Sequence, residues 1–367
     1  MVQRMHLNQW FKPRYIRQFA SDFNEFADSY VEYMEHYADG KTEVDTLNTF
    51  TTLTTHLLYK VAFNMDLGPL SEENHPFVTK LQTALSGTAA LIANPLVAIN
   101  PLKWGFRRNV RDAINTLRQR AKQVIDERNI AKRNGDYFPD DLMEHIMELK
   151  EKHPSMITDE ILLDNFITFL AGGQETSAKT LSFVVFLLGK NPECYKRLQR
   201  EIDENIGAVS VISLDELEKL PYLDLVLKET QRLYPVAKMT ARHTFKDRMV
   251  GGHLIPAGTD MMISFYATSR AEQNVRNPTK FIPERFHIDS SEKFSKYAST
   301  PFAVGPHACI GKKFAQIEMK IIIAKILQNF DFELIPGQSC ELKDVTLIQP
   351  KDGAKCFFRP RRTISAK

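Results

Sequence analysis

Apolar and aromatic residues recur at helical intervals along most of this chain. Phe19, Phe23, Phe26, Tyr30, Tyr33 and Tyr37 alternate steps of four and three, which puts one aromatic stripe on one helix face, a core face rather than a ligand box. Gly40 is placed to end that helix. Residues 106–134 predict a charged helix whose Arg/Lys run reads as a solvated face. Residues 159–188 predict a long apolar helix, with Asp159 and Glu160 at its positive end. Residues 222–233 and 312–330 predict two more, the second with Phe314, Ile317, Ile321 and Ala324 at helical spacing. Strand signals come late. Residues 249–265 alternate around Gly251-Gly252 and Pro256-Ala257-Gly258 and predict a hairpin. Residues 345–348 and 355–358 flank Pro350-Lys351-Asp352-Gly353 and predict a second one. The pattern as a whole predicts a mainly α fold with small β-sheets.

Composition narrows the function classes. The chain has 367 residues, 48 basic and 45 acidic, for a net charge of +3. That balance argues against a nucleic-acid partner. No repeat, low-complexity tract or Gly/Ser linker divides it, so one domain spanning residues 1–367 is expected. Cys194, Cys309, Cys340 and Cys356 are scattered without C-x-x-C spacing, which suggests neither a zinc site nor a disulfide framework and fits a reducing environment. The longest uncharged stretch, residues 81–102, is long enough for a bilayer but is broken by Asn94-Pro95 and Asn100-Pro101. It reads as a helix pair with an apolar connection. Trp104 with Lys103, Arg107 and Arg108 would suit a membrane interface, and a buried helix end is the equal alternative.

One cysteine carries distinctive chemistry. Cys309 lies in Phe302-Ala303-Val304-Gly305-Pro306-His307-Ala308-Cys309-Ile310-Gly311, just before the last long helix. Its sulfur is expected where N–H groups and the positive helix end converge, which lowers a thiol pKa and suits an iron ligand. Two further features stand out. Glu229 and Arg232 are at i and i+3 and can pair on one helix face. Gly172 and Gly173 sit mid-helix before Gln174-Glu175-Thr176, where each glycine costs about 1 kcal/mol against Ala. Close backbone approach to a flat cofactor would offset that cost.

The cysteine loop resembles the F-x-x-G-x-R-x-C-x-G haem loop of the cytochrome P-450 (haem-thiolate monooxygenase) family. Phe302, Gly305, Cys309 and Gly311 match, and His307 stands where Arg is usual. Glu229-Thr230-Gln231-Arg232 followed by Pro283-Glu284-Arg285-Phe286 resembles the family's E-x-x-R and P-E-R-F pair. Ala171-Gly172-Gly173-Gln174-Glu175-Thr176 resembles its A/G-G-x-D/E-T signature. The resemblance covers the whole chain, but the family's N-terminal part has no counterpart, so a truncated fold with unpaired sheet edges is expected.

The resemblance implies haem b held by Cys309 as axial iron ligand, with Phe302 near the sulfur and Gly311 bounding the loop. It gives Thr176 and Glu175 the handling of protons, and gives Arg4, Arg242 and His307 the haem carboxylates. Arg4 as a frayed terminal residue is an equal alternative. Glu229, Arg232 and Arg285 would form a buried ionic triad that supports the haem pocket. Electrons would come from NADPH through a cytochrome reductase, at the cytosolic face of the endoplasmic reticulum membrane; Lys312 and Lys313 beside the loop suit docking of an acidic donor, with plain solvated lysines the equal alternative. Within the family, residues 163–169, 309–318, 324–328 and 335–338 are most similar to the cholesterol 24-hydroxylase branch. That points to a sterol oxidised on its side chain. A fatty-acid or xenobiotic monooxygenase and a non-catalytic haem or sterol binder are the alternatives.

Overall fold

The structure is a computed structural model and describes residues 2–71, 75–94, 96–339, 341–344 and 347–361. Pro95, Cys340 and Val345 lie outside the described residues. The chain runs α1 (Val2–Leu7), α2 (Pro13–Glu35), β1 (Val44–Asp45), α3 (Thr46–Phe63), α4 (Pro76–Ala93), α5 (Leu96–Ile99), α6 (Trp104–Asn134), α7 (Leu142–Lys152) and α8 (Asp159–Lys190). It continues with α9 (Pro192–Asn205), α10 (Leu214–Glu218), α11 (Pro221–Leu233), β2 (Met239–His243), β3 (Arg248–Val250), β4 (His253–Ile255), β5 (Asp260–Ser264) and α12 (Phe265–Thr268). It closes with α13 (Lys312–Asn329), β6 (Phe330–Leu334), β7 (Leu342–Asp344), β8 (Ile348–Pro350) and β9 (Lys355–Pro360).

Helix α8 is the axis of the molecule. Thr158 caps it by accepting from the Ile161 N–H at 3.3 Å, which satisfies one of the four donors that a helix start leaves open. Its second half is buried all round, and helices α3, α6, α7, α9, α11 and α13 all touch it. The aromatic stripe of α2 behaves as expected. Phe19, Phe23 and Tyr30 are buried, and Phe26, Tyr33 and Tyr37 pack against the same core. Helix α2 nevertheless stops at Glu35, before Gly40. Gly40 has another task. Its φ of +76° turns its N–H onto the Phe358 carbonyl at 2.8 Å, and a Cβ there would lie 2.5 Å from Arg359 Nε.

The uncharged stretch becomes the end of α4, then α5 and a short 3-10 turn leading into α6. Among the described residues no helix is long and apolar enough to cross a membrane. Ile92, Leu96, Ile99, Leu102 and Trp104 are exposed together along this connection.

The first predicted hairpin forms, with β3 and β4 turning at Gly251-Gly252; the Pro256-Ala257-Gly258 turn then delivers β5 antiparallel to β2. Both ladders are two-stranded and expose Met249, Leu254, Met262 and Ile263. The second predicted hairpin does not form. The turn exists, but β8 pairs with β7, whereas β9 joins β6 and β1 in a three-stranded antiparallel sheet. Burial decides this. Cys356 and Phe358 point into the core, and Phe358 pairs across the ladder with Phe332, a long-range gain that the local turn cannot match.

Candidate functional site

Cys309 sits one turn before α13, on a loop whose shape is set by backbone bonds. The Cys309 N–H donates to the Phe302 carbonyl at 2.8 Å, and the Ala308 N–H donates to the Gly305 carbonyl at 3.0 Å. Gly305, with φ +76°, makes the turn possible. The thiol is open to the space between α8 and α13 and surrounded by protein elsewhere. That burial pushes its pKa up, against the lowering by the Gly311 N–H and the charges of Arg4 and Lys312. The expectation of a lowered thiol pKa is therefore corrected. The helix end is present, but desolvation outweighs it.

Two cavities, about 370 and 260 Å³, flank the cysteine and share Gly172, Thr176, Ser177, Phe302 and Cys309 in their walls. The first also has Leu7, Phe11, Phe169 and Phe314 in its wall, and the second Val236 and Phe265, beside polar residues such as Asn165 and Thr240.

The glycine notch divides its labour. A Cβ on Gly172 would meet nothing within 4 Å, so this residue opens the helix surface to the cavity. A Cβ on Gly173 would lie 2.8 Å from Leu58 Cδ2, so this glycine lets α3 approach α8. Both glycines line the larger cavity, and Gly172 alone also lines the smaller one. Thr176 Oγ1 donates back to the Gly172 carbonyl at 2.9 Å and lines both cavities. Glu175 pairs with Lys179 at 2.5 Å, one turn along the helix, and lines neither.

Of the three residues expected to meet carboxylates, two reach the cysteine region. Arg4 Nη2 donates to the Ala308 carbonyl at 2.6 Å and lines the larger cavity, so it is tied to the loop rather than frayed. His307 lines the smaller one. Arg242 lies on β2 opposite Met261 and lines neither. Its guanidinium donates to Thr240 Oγ1 at 2.8 Å and the Ala241 carbonyl at 2.7 Å.

Below the loop, Glu229 binds Arg232 through two bonds of 2.8 Å and accepts from Arg285 Nε at 3.0 Å. All three side chains are fully buried. Sequence reasoning missed a fourth member. Arg285 Nη1 also contacts Glu292 at 2.5 Å, so two buried cations face two anions. Arg232 further donates to the carbonyls of Ser269 and Pro278, at 2.9 and 2.7 Å. This fixes the segment that leads to the cysteine loop.

A second missed pair joins the two helices of the site. Ser177 Oγ donates to Glu318 Oε2 at 2.6 Å, and Glu318 is buried on α13. Burial pushes its carboxyl up to about 8, with the Ser177 bond pulling back. A Glu between Ile317 and Met319, on the helix that continues into Ile321-Ile322-Ile323, was the available signal.

The donor set suits a flat, apolar, iron-bearing group with acidic tails. It offers a soft sulfur ligand, apolar walls and the guanidinium of Arg4.

The cytochrome P450 family model matches residues 1–358. Rabbit (Oryctolagus cuniculus) cytochrome P450 3A6 is 28% identical over 356 residues, covering 94% of this chain and 68% of the relative. A probable cytochrome P450 4d20 of Drosophila melanogaster is 29% identical over 367 residues, covering 91% and 70%. Thromboxane-A synthase of Sus scrofa is 26% identical over 407 residues, covering 98% and 75%. A crystal structure of a cytochrome P450 matches in fold with a TM-score of 0.84 at 23% identity, over 98% of this chain and 78% of that one.

Proposed function

We propose, for a chain that belongs to the cytochrome P450 family, that the cavities beside Cys309 hold haem b and a sterol, and that the sterol is oxidised on its side chain, as in cholesterol 24-hydroxylation. Family membership makes the chain a monooxygenase. The observation that carries the site assignment is the open Cys309 thiol between two cavities, facing Gly172 and Thr176 on α8. The substrate reading rests on the similarity of residues 163–169, 309–318, 324–328 and 335–338 to the cholesterol 24-hydroxylase branch.

Haem bound here supplies one-electron and O2 chemistry. Cys309 would hold the iron through its sulfur, and the Gly311 N–H with the charges of Arg4 and Lys312 works toward the anionic form against the larger effect of burial. Arg4 and His307 take the carboxylates. Arg242 joins them if its guanidinium leaves Thr240. Phe302 shields the sulfur side. Leu7, Phe169, Val236 and Phe265 exclude water and hold the apolar substrate. Thr176 Oγ1 holds a proton at the cavity wall, and Glu175 relays protons once released from Lys179.

Electrons from NADPH arrive through a cytochrome reductase docked near Lys312 and Lys313. The exposed Leu96, Ile99, Leu102 and Trp104, flanked by Arg107 and Arg108, rest on the membrane surface, at the cytosolic face of the endoplasmic reticulum. The domain spans residues 1–367.

The test is the absorption spectrum of the haem-loaded chain, reduced under carbon monoxide, followed by turnover with reductase and NADPH. A red-shifted Soret band with a side-chain-hydroxylated sterol supports the proposal. An unshifted band removes Cys309 as ligand. Turnover of fatty acids or xenobiotics with the sterol untouched replaces the substrate. Thiolate-bound haem with no turnover at all favours a haem or sterol binder.

A further inference from the structure

We infer that His6, His145 and Glu148 form a binding site for one divalent transition-metal ion of the zinc class, on the side of α1 that faces α7. One nitrogen of each imidazole and one Glu148 carboxylate oxygen lie within 4.8 Å of one another. His6 Nε2 is 3.9 Å from Glu148 Oε2. Zinc bonds to nitrogen and oxygen of about 2.0–2.2 Å place tetrahedral ligand atoms roughly 3.3 Å apart. Small side-chain rotations therefore close the site, and water completes the coordination.

The surroundings favour a metal over a chance cluster. His145 is buried, so its ring is held in place by the surrounding side chains. Its Nε2 bonds to Tyr15 Oη at 3.0 Å and lies 3.3 Å from Asp140, and Tyr15 Oη in turn donates to Asp140 at 3.0 Å. A carboxylate that orients one ring nitrogen while the other meets the ion is the usual outer shell of a metal-bound histidine. Glu148 accepts from Lys152 Nζ at 2.6 Å. Lys152 is itself exposed, so the ion displaces a surface pair of little worth. His6 Nε2 donates at 3.1 Å to the His145 carbonyl, which α7 already engages, so ligation leaves no buried acceptor stranded. His6 and Glu148 are half-buried, which gives the ion access from solvent.

The ion would staple α1 to α7, which already meet through His6 and the His145 carbonyl. Helix α1 carries Arg4 two residues before His6, and Arg4 holds the Ala308 carbonyl beside Cys309. Metal occupancy is thereby coupled to the cysteine loop. The metal site stands without the haem reading; only this coupling rests on it.

The experiment is calorimetric titration of the full chain with zinc chloride, and of the variants His6→Gln, Glu148→Gln and Asp140→Asn, with His36→Gln as control. Far-UV circular dichroism confirms that each is folded. The expected result is one equivalent bound, with a roughly 10–100-fold loss for Asp140→Asn, a loss at least as large for His6→Gln and Glu148→Gln, and none for the control. Cobalt in place of zinc should give tetrahedral d–d bands without sulfur charge transfer. Absence of saturable binding, unchanged affinity in both ligand variants, or a sulfur charge-transfer band that puts the metal on Cys309 would each overturn the inference.

Discussion

Ser177 on α8 and Glu318 on α13 meet at 2.6 Å inside the core, so the helix that carries Thr176 is bonded to the helix that begins below Cys309. The carboxyl of Glu318 is pushed up to about 8 by burial. Its folded value thus lies above the ordinary 4.5. The folded state binds this proton more tightly than the unfolded chain does. Its stabilising effect is complete below the unfolded value and is lost as pH rises through the folded one. Stability should fall by a few kcal/mol, at about 1.4 kcal/mol per pH unit at most, between pH 4.5 and 8. Glu318→Gln should flatten that slope, as read from urea unfolding at several pH values. Equal slopes in parent and variant would rule the assignment out.

The Glu229–Arg232–Arg285–Glu292 group should behave as one unit. Glu229→Gln leaves two buried guanidinium groups short of an anion and should cost about 3–5 kcal/mol. Glu292→Gln should cost less, because its side chain is 21% exposed and water replaces part of the contact. Denaturant midpoints of the two variants decide this, and an equal or reversed order contradicts it.

The adjacent glycines Gly172 and Gly173 of α8 should respond oppositely to alanine. Gly172→Ala meets open space and gains helix propensity, so stability should rise by up to about 1 kcal/mol while the cavity narrows. Gly173→Ala drives a methyl against Leu58 and should destabilise by about 1–3 kcal/mol. Thermal unfolding of both variants tests the pair; the same sign in both would show that the helices adjust freely.

Thr176→Val removes a hydroxyl bonded only to its own helix in the structure, so the fold should lose no more than about 1 kcal/mol. If the hydroxyl handles protons, product formed per NADPH consumed should drop, and the rate should fall roughly 10²-fold or more. Unchanged coupling between NADPH and product would relieve Thr176 of that role.

The sequence made visible what depends on local spacing. Phe302, Gly305, Cys309 and Gly311 are fixed by one loop, and Glu229 with Arg232 by one helical turn. What escaped depends on distant contacts. Glu292 joins Arg285 through an irregular segment without periodicity. Glu318 finds Ser177 across 141 positions. The balance at Cys309 went the other way from expectation because desolvation is a property of the packed surroundings, whereas the helix end is read from the chain. The β9 strand left its neighbour β8 for β6 and β1 for the same kind of reason.

That last sheet has a kinetic consequence. Val44 pairs with Cys356, and Thr46 Oγ1, at the first turn of α3, donates to the Ala354 carbonyl at 2.9 Å. The start of α3 therefore gains its final partners only when nearly the whole of this sequence has been synthesised. Contacts of such sequence separation are slow to close and leave earlier segments exposed meanwhile. Folding during translation should stall with α3 half-docked. Emergence of residues 354–358 should be the step after which α2 and α3 become resistant to protease together.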